Sequence, residues 1–440
     1  MEILIKTAQF LLALSILIII HEMGHFYFAK LFKTRVEKFY LFFNPWFSLF
    51  KFKKGETTYG IGWVPLGGYV KISGMIDESM DKEQMKKPPK PYEFRSKPAW
   101  QRLIIMLGGV AANIVLAIFI YIFMLFFVGE KYLPAQNLKY GIVADSLGRE
   151  VGLQDGDLIL ALNDKEVGDF FDIQKKLIFD DISQITVKRN EDIINLDVPD
   201  DFFGKLIESK GEGIISIKHP LIVDDFLDDS QAKKAGVKEG DVIYGIGNDT
   251  TYSFSQFRTA MPKYTGKQTK LLINRNGNDT TISINIPENN VIGVAFTPID
   301  QLLDFETRNY NFLEAIPGGI VKAYDTTADY LKQLKLLFKP EVKAHESIGG
   351  FITIGSIFSP TWDWLHFWTI TAFLSVILAI MNILPIPALD GGHVMFLLYE
   401  VIVGKKPGDK FMEYAQTIGM ILLLGLLLFA NFNDVLRLFN

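Results

Sequence analysis

The sequence contains no cysteine. This absence excludes disulfide bonds, zinc sites built from thiolates and catalysis by a cysteine nucleophile. Charged residues are also scarce in four long stretches, although the whole chain carries 45 Lys and Arg against 50 Asp and Glu, a formal net charge of −5. The 440 residues are 49% hydrophobic and 13% aromatic. This composition is apolar for a soluble protein of this size, and the length allows several domains.

The four apolar stretches are long enough to cross a membrane. They are residues 7–31, 103–128, 364–384 and 412–429, and each is near the roughly 20 residues that a helix needs to span the hydrocarbon core. A cleaved signal peptide is the alternative for the first stretch, but no small-residue cleavage site follows it. The apolar character instead continues beyond residue 25, which favours a membrane span.

The charges outside these stretches are unevenly distributed. Residues 30–102 hold 15 Lys and Arg against 7 Asp and Glu, whereas residues 128–364 hold 25 against 36. Since Lys and Arg concentrate in cytoplasmic loops, we expect residues 30–102 and the short loop around Lys405, Lys406 and Lys410 in the cytoplasm. Four spans then put both termini and the acidic region 128–364 outside the cytoplasm.

Two histidines four residues apart lie inside the first apolar stretch. The segment HEMGH at residues 21–25 directly follows the run FLLALSILIII. Residues at i and i+4 share one face of a helix, so His21 and His25 can bind one metal ion. Glu22 then lies beside the ion, where a general base for water activation is needed. Ionisable residues within a span are costly and mark function by default, so the motif indicates zinc-dependent hydrolysis inside a bilayer.

A hydrolytic zinc site takes three protein ligands and leaves one position open for water. Asp390 is the natural third ligand, because it follows the third apolar stretch, which runs in the same direction as the first. His393 competes for this position, with the start of a helix or a supporting role as its alternative. His219, His345 and His366 lie in the outer region or at its edge, so we expect them at the surface.

The segment before Asp390 reads NILPIPAL from residue 382 to residue 389. Pro385 and Pro387 end or kink the preceding helix. Asn382 carries an amide that can hold a substrate backbone or an oxyanion. An interhelical hydrogen bond is the alternative role of Asn382, since Asn often has that role in membrane bundles.

An internal repeat lies between the second and third apolar stretches. GLQDGDLI at residues 152–159 recurs as GVKEGDVI at residues 236–243. A strand, an Asn-Asp turn and a helical stretch follow each copy, which predicts two similar α+β modules of about 80–90 residues. The pattern resembles PDZ domains, which bind peptides by adding a strand to their own sheet. A role in capping or shielding the membrane part is the alternative.

Three further segments carry structural predictions. Residues 55–76 are predicted to form strands, as a β-element that dips toward the active site from the cytoplasm or as an ordinary cytoplasmic hairpin. Residues 77–98 are charged and contain four prolines, which is typical of a connector. Residues 311–338 show helical periodicity after Pro317. They predict an amphipathic helix at the outer membrane surface or a helix packed against the repeated modules.

Together these motifs resemble the site-2 protease family of intramembrane zinc metalloproteases, in particular its bacterial, sigma-E-regulating branch with two PDZ domains. HEMGH fits the family's HExxH. The segment from residue 382 to residue 391 fits NxxPxPxLDG at Asn382, Pro385, Pro387, Leu389, Asp390 and Gly391. The resemblance implies that His21, His25 and Asp390 bind one catalytic Zn²⁺ and that Glu22 is the catalytic base.

The resemblance also implies how substrate is bound. Asn382, Pro385 and Pro387 would bind the substrate strand, and the β-region with Gly67 and Gly68 would present it. The substrates implied are single-pass proteins of the bacterial inner membrane, such as an anti-sigma factor or a remnant signal peptide, trimmed beforehand outside the cytoplasm. The PDZ domains would gate their access, and no nucleic acid partner is implied.

Two positions depart from the family pattern. The second span keeps Asn113 but lacks the Gly-Pro that usually precedes it. Gly349-Gly350-Phe351 replaces a Gly-Pro that usually comes before the third span. The departures leave the local geometry open without removing a predicted zinc ligand.

The predicted fold is a multi-pass α-helical membrane protein of about four transmembrane helices, with a membrane-associated β-region and two tandem extracytoplasmic α+β PDZ-like domains. Its predicted parts are a transmembrane part with the β-region (1–127), two PDZ-like domains (128–217 and 218–300), a connector with an amphipathic helix (301–363) and the last two spans (364–440). A metal or ion transporter is one alternative function, and an inactive PDZ scaffold is the other. The glutamate directly after His21 argues against the former, and the intact HExxH with Asp390 against the latter.

Overall fold

The computed structural model describes residues 1–65, 67–75, 88–199, 201–208, 214–337, 339 and 348–439. The chain divides into two compact units. The first, here called the membrane unit, comprises the described residues of Met1–Gly129 and of the chain from Asn309 onward, apart from Lys339. The second, here called the repeat unit, comprises the described residues of Glu130–Arg308 together with Lys339.

The helices and strands alternate most densely in the repeat unit. The helices are α1 (Glu2–Leu31), α2 (Ala99–Phe127), α3 (Ser146–Glu150), α4 (Phe170–Phe179), α5 (Phe202–Glu208), α6 (Gln231–Ala235), α7 (Phe254–Ala260), α8 (Ile299–Leu302), α9 (Phe312–Leu336), α10 (Phe351–Ser356), α11 (Trp364–Ile383), α12 (Asp390–Val403) and α13 (Asp409–Phe439). The strands are β1 (Val36–Leu41), β2 (Phe50–Lys54), β3 (Thr57–Ile61), β4 (Tyr69–Ile72), β5 (Glu130–Tyr132), β6 (Ile142–Ala144), β7 (Leu158–Leu162), β8 (Lys165–Glu166), β9 (Gln184–Arg189), β10 (Asp192–Asp197), β11 (Ile215–Ile217), β12 (Leu221–Phe226), β13 (Val242–Ile246), β14 (Asp249–Thr250), β15 (Gln268–Arg275), β16 (Asn278–Asn285), β17 (Val294–Phe296) and β18 (Glu306–Arg308).

Four helices in the described part of the chain are long and apolar enough to cross a membrane. They are α1, α2, α11 and the segment Lys410–Arg437 of α13. Each of the four predicted apolar stretches therefore lies in a helix of suitable length and hydropathy. Three of these helices extend several residues beyond the predicted stretches, because an α-helix continues through flanking polar residues until a cap or a proline ends it. Pro98 provides such a boundary directly before α2.

A four-stranded sheet follows α1 in the membrane unit. The strand order is β2-β3-β1-β4, with β1 parallel to β3 and antiparallel to β4. The predicted β-region therefore supplies only β3 and β4, and β1 and β2 were missed. Leu66 and Ile76 of that region, and residues 77–87 of the predicted connector, lie outside the described residues. The strand β4 stands at one edge of the sheet.

The repeat unit contains the same arrangement twice. The strand order β10-β9-β7-β8 of the first copy corresponds to β16-β15-β13 of the second, with β14 also paired to β13. Helices α4 and α7 follow at equivalent positions, as the repeat predicted. Each copy buries its own cluster of aliphatic and aromatic side chains. The second sheet continues through β12 to β17, and β5 pairs with β18 near the two ends of the unit.

The helix predicted after Pro317 begins earlier than expected. Asn311 caps α9, because its side chain and that of Glu314 each accept a hydrogen bond from the other's backbone N–H. Pro317 therefore lies within the helix. Ala323 of α9 packs in one buried cluster with residues of α2 and α11. The Tyr121 hydroxyl of α2 lies 3.2 Å from that of Thr326. Packing against membrane helices is thus a contact that neither sequence-based interpretation of this helix had included.

The Gly-Gly pair before the third span has a packing role. A Cβ built on Gly350 would lie 2.9 Å from the backbone nitrogen of Asn431 in α13. Asp434, one turn further along α13, accepts a hydrogen bond of 3.0 Å from the backbone N–H of Thr353 at the start of α10. The departure from the family's Gly-Pro therefore coincides with a close contact between α10 and α13.

Candidate metal centre

His21 and His25 lie on the buried side of α1. The helix continues through HEMGH without a break, so the two rings project from one face, one turn apart. Their residues are 9% and 7% exposed, and the ring centroids are 4.9 Å apart. The predicted pairing of the two imidazoles on one helical face is what the structure shows.

Asp390 reaches the same place from a distant part of the sequence. After α11 ends at Ile383, a short loop reverses the backbone and Asp390 opens α12. Gly391 makes the tight reversal possible, because a Cβ there would lie 2.0 Å from the carbonyl oxygen of Leu384. Ala388 has a φ of 84°, a left-handed conformation that is costly for a residue with a side chain. A strained, tightly packed loop thus orients the carboxylate.

Three ligand atoms converge at this point. The Nε2 atoms of His21 and His25 are 3.3 Å apart, and each lies 3.2 Å from Oδ2 of Asp390. Donors about 2.0–2.1 Å from a tetrahedral Zn²⁺ are separated from each other by about 3.3–3.4 Å. The triangle therefore has the dimensions of three corners of a zinc tetrahedron, and the fourth corner is available to water or substrate.

The Asp390 Oδ2 atom supports a metal in another way. It is buried and makes no hydrogen bond of acceptable geometry, although two imidazole nitrogens lie 3.2 Å away. A buried carboxylate oxygen without a partner is costly. A cation held jointly by the three atoms would satisfy this oxygen, so the residues present fit a zinc ion. In the described part of the chain, this is the one group of three metal-binding side chains close enough to share an ion.

A cavity of about 830 Å³ opens beside the three atoms. Glu22 lines it, and the backbone N–H of Val70 interacts with the Glu22 carboxylate. Since Val70 belongs to the edge strand β4, the sheet reaches the metal centre. Gly67 and Gly68 form part of the wall next to β4, and Asn382 lines the cavity from the end of α11.

Other predicted residues occupy different positions. Pro385 and Pro387 lie in the loop between α11 and α12, where the backbone of Pro387 packs against Gly419 of α13. His393 lines the cavity, but its Nε2 lies 2.9 Å from the side-chain nitrogen of Gln416. The geometry thus favours Asp390 over His393 as the third ligand.

The remaining histidines are engaged elsewhere or lie outside the described residues. His219 and His366 each lie within hydrogen-bond distance of a backbone carbonyl, of Pro220 and Ile357 respectively. Burial lowers the pKa of His219 below its ordinary value, and its bond to the Pro220 carbonyl only partly offsets this effect. His345 is outside the described residues.

Sequence reasoning missed two contributors to the cavity wall. Val70 was counted in a predicted strand without a role, and Met420 of α13 was not considered. The alternation of side chains along β4 could have indicated one face toward α1. No local pattern indicates which residues of α13 approach the metal centre, because that contact joins distant parts of the chain.

The comparisons with known proteins agree with this geometry. The family model of peptidase family M50 matches residues 9–426. The chain belongs to peptidase family M50. The regulator of sigma-E protease RseP of Escherichia coli is 30% identical, with 98% of each chain aligned. The regulator of sigma E protease of Haemophilus influenzae is 29% identical over the whole of both chains. A Borreliella burgdorferi protein with the provisional name zinc metalloprotease is 29% identical over 98% of each chain.

Membership of family M50, the site-2 protease family, confirms the recognition made from the two motifs. The match extends across both HEMGH and the segment around Asp390. The M50 chain is therefore a metalloprotease with membrane-spanning helices.

Proposed function

We propose that this M50 chain is a zinc metalloendopeptidase that cleaves a peptide bond within the transmembrane segment of a single-pass membrane protein. One observation carries the proposal. His21, His25 and Asp390 form a triangle of zinc dimensions, with both histidines inside a helix that is long and apolar enough to cross a membrane. A metal site inside the bilayer suits a substrate that is itself a membrane helix.

The chemistry follows from the residues around the triangle. His21, His25 and Asp390 would hold one Zn²⁺, which would supply Lewis-acid chemistry for activating water and polarising a peptide carbonyl. Glu22 accepts the proton of the attacking water and delivers it to the leaving amine. The Val70 N–H beside the Glu22 carboxylate holds this side chain toward the cavity. The amide of Asn382 binds the substrate backbone at the opposite wall.

The edge strand β4 binds the substrate in extended form. A membrane helix hides its peptide bonds in internal hydrogen bonds, so it must unwind before cleavage. As an edge strand, β4 offers backbone groups for pairing with the unwound segment. Gly67 and Gly68 border that edge at the cavity, where their lack of a side chain lets the segment pack closely against Phe43, Ile18 and the backbone of Tyr40. Pro385 and Pro387 shape the loop between α11 and α12.

Different domains serve substrate recognition and cleavage. Residues 1–127 and 364–440 form the catalytic membrane part, with residues 55–76 as the substrate-presenting region. Residues 128–217 and 218–300 are two PDZ-like domains that restrict access to substrates already trimmed, and residues 301–363 connect them to the third span. The two sigma-E protease relatives suggest an anti-sigma factor as one substrate, and a remnant signal peptide is another of the same chemistry. The PDZ-like domains and both termini lie outside the cytoplasm, and the protein resides in a bacterial inner membrane.

The proposal is tested with Glu22→Gln. This change keeps the size and the hydrogen-bond acceptor but removes the base, so we expect unchanged zinc content and no cleavage. The measurement is cleavage of a single-pass model substrate in cells, with zinc quantified on the purified chain. Glu2→Gln, at an exposed position of the same helix α1, is the matched control and should cleave normally. Retained cleavage by the Glu22 variant would remove the assignment of Glu22 as base.

A further inference from the structure

Helix α2 presents one stripe of residues to the two histidines. Ile105, Gly109 and Asn113 follow one another at intervals of four and therefore share a face of α2. Nδ1 of His25 lies 2.9 Å from the carbonyl oxygen of Ile105. Nδ1 of His21 lies 3.1 Å from the side-chain amide of Asn113. Each ring thus meets α2 through the nitrogen that does not face Asp390.

Glycines bring α2 this close. A Cβ built on Gly24 of α1 would lie 2.1 Å from the carbonyl oxygen of Gly108. A Cβ on Gly109 would lie 2.4 Å from Nε2 of His25 and 2.6 Å from Cε1 of His21. The backbone of α2 therefore touches the imidazoles directly, and the partners at Ile105 and Asn113 come within hydrogen-bond distance.

The two contacts differ in what they impose on the rings. A neutral imidazole carries its proton on one nitrogen, and a ring that binds metal through Nε2 must carry it on Nδ1. The Ile105 carbonyl can only accept, so it holds His25 with the proton on Nδ1. The backbone of α2 thereby fixes the metal-binding tautomer of His25.

For His21 the tautomer depends on a side chain. An amide presents a donor or an acceptor according to its orientation, and its nitrogen and oxygen are assigned from the surrounding hydrogen bonds. With the nitrogen toward His21, Oδ1 of Asn113 is buried without any hydrogen-bond partner. Rotation of the amide by half a turn directs Oδ1 at Nδ1 of His21 instead. That orientation selects the tautomer with a free Nε2 lone pair.

Asn113 is well held for such a role. It is 0% exposed, and its backbone carbonyl accepts a hydrogen bond of 2.8 Å from the hydroxyl of Ser375 in α11. The helix that carries the loop to Asp390 is thereby tied to the same residue that faces His21. Asn113 connects both sides of the metal centre.

We infer that Asn113 is a positioning residue for His21: its side-chain oxygen accepts the Nδ1 proton and thereby directs the Nε2 lone pair at the metal. The inference rests on the proposed zinc site. It predicts that the metal centre is sensitive to a single substitution, because His25 is held by a main-chain carbonyl whereas His21 is held by the side chain of Asn113. Partners of metal-binding imidazoles typically change metal affinity by about 10–100-fold when they are removed.

The test measures zinc affinity of the full-length chain in detergent. Wild type, Asn113→Leu and Asn113→Asp compete for Zn²⁺ with a chromophoric chelator, and Co²⁺ replaces Zn²⁺ to report tetrahedral geometry by its visible spectrum. Leu has the same number and branching of side-chain heavy atoms as Asn but no acceptor, so we expect Kd to rise about 10–100-fold. Asp keeps an acceptor oxygen, so its affinity should stay close to wild type and its Co²⁺ spectrum tetrahedral. Asn113→Ala, which adds no atoms, is the second variant without an acceptor if the Leu variant loses its helical circular dichroism.

Three outcomes would overturn the inference. Wild-type zinc affinity in both the Leu and Ala variants would show that no acceptor is needed. Equal weakening in the Asp and Leu variants would indicate a role in helix packing alone. Absence of zinc binding by wild type would remove the inference together with the proposed function. By contrast, cleavage by Glu22→Gln alongside zinc loss in Asn113→Leu would contradict the proposed base and leave the inference standing.

Discussion

Two buried aspartates of the repeat unit and Asp390 of the membrane unit are bound in opposite ways. In the repeat unit, Asp157 accepts hydrogen bonds of 2.8 Å from Nε and Nη2 of Arg189, and Asp241 is bound in the same manner by Arg275 at 2.7 Å. In the membrane unit, the Asp390 Oδ2 atom faces two imidazole nitrogens and has no hydrogen bond. Paired aspartates hold a fold together, whereas an unpaired one in the interior is kept for a ligand.

Glycine shows the same division. Gly24 and Gly109 lie inside regular helices and touch backbone or imidazole atoms of a neighbouring helix. Gly156 and Gly240 in the two repeats have a φ of 99° and 82°, and a Cβ on either would meet open space. Gly24 and Gly109 are required for their small size, whereas Gly156 and Gly240 are required for their backbone freedom. The same substitution to alanine should therefore have different consequences in the two units.

The largest effect is expected for Gly109→Ala. Its Cβ would overlap both imidazoles, so the rings must leave the zinc geometry, and we expect zinc affinity to fall by at least about 100-fold with loss of cleavage. Zinc titration of the purified chain measures this effect. Gly425→Ala is the matched control on α13, because an added Cβ there meets nothing within 4 Å. Wild-type zinc binding by Gly109→Ala would show that position 109 does not require a residue as small as glycine.

A smaller effect is expected for Arg275→Met in the second repeat. The change leaves Asp241, which is 1% exposed, without its bidentate partner, and we expect a local loss of stability of about 2 kcal/mol. Hydrogen exchange of amides in β13 and β15 of the intact chain measures it. Arg189→Met should weaken the first repeat alike and leave the second unchanged, and zinc binding should be normal in both. If either substitution accelerated hydrogen exchange in both repeats, the assignment of one Arg–Asp pair to each repeat would be wrong.

The stability lost in Arg275→Met should depend on pH in a definite direction. Burial raises the pKa of Asp241, but Arg275 and the backbone N–H of Lys238 together outweigh burial and hold the pKa below its ordinary value of 3.8. In wild type this stability is complete above that ordinary value and is lost as pH falls through the folded pKa. Without Arg275, burial should raise the pKa of Asp241 in the folded variant above its ordinary value. Protonation of Asp241 at low pH should then stabilise the folded variant. The difference in stability between wild type and Arg275→Met should therefore become smaller as the pH falls.

The smallest effect is expected for Gly240→Ala. Alanine at a φ of 82° costs about 1 kcal/mol, and no neighbour is displaced. Hydrogen exchange near β13 should accelerate accordingly, with zinc binding and cleavage retained. Gly204→Ala in the helix α5, where an added Cβ also meets nothing within 4 Å, should show no such loss. If both substitutions behaved alike, backbone freedom would not be the reason for glycine at position 240.

Much of the site could be predicted because its signals are local. HEMGH puts His21, Glu22 and His25 on adjacent positions of one helix, and the period of a helix is a property of the chain itself. Asp390 required one further step, the direction of the third span. The repeat was visible because its turn residues recur in order.

Other features were missed because they depend on distant partners. The strand β1 (VEKFYL) lacks clean alternation, and β2 (FKFKK) alternates over only a few residues. Pairing with β3 joins both strands into one sheet. The start of α9 was set too late at Pro317, since proline is tolerated in the first turns of a helix and the Asn311–Glu314 capping box lies upstream. Sequence periodicity also could not tell which neighbour the helix packs against.

By itself the sequence determined the spans, the repeated module and the chemical identity of the metal-binding side chains, because hydrophobic length, turn residues and helical period act over short distances. Only the tertiary structure decided that three donor atoms stand 3.2–3.3 Å apart, that β4 borders the cavity and that Asn113 faces His21. These distances depend on how closely α1, α2 and the loop before α12 approach one another. That approach is set by glycines whose neighbours lie tens to hundreds of residues away, where no local pattern reaches.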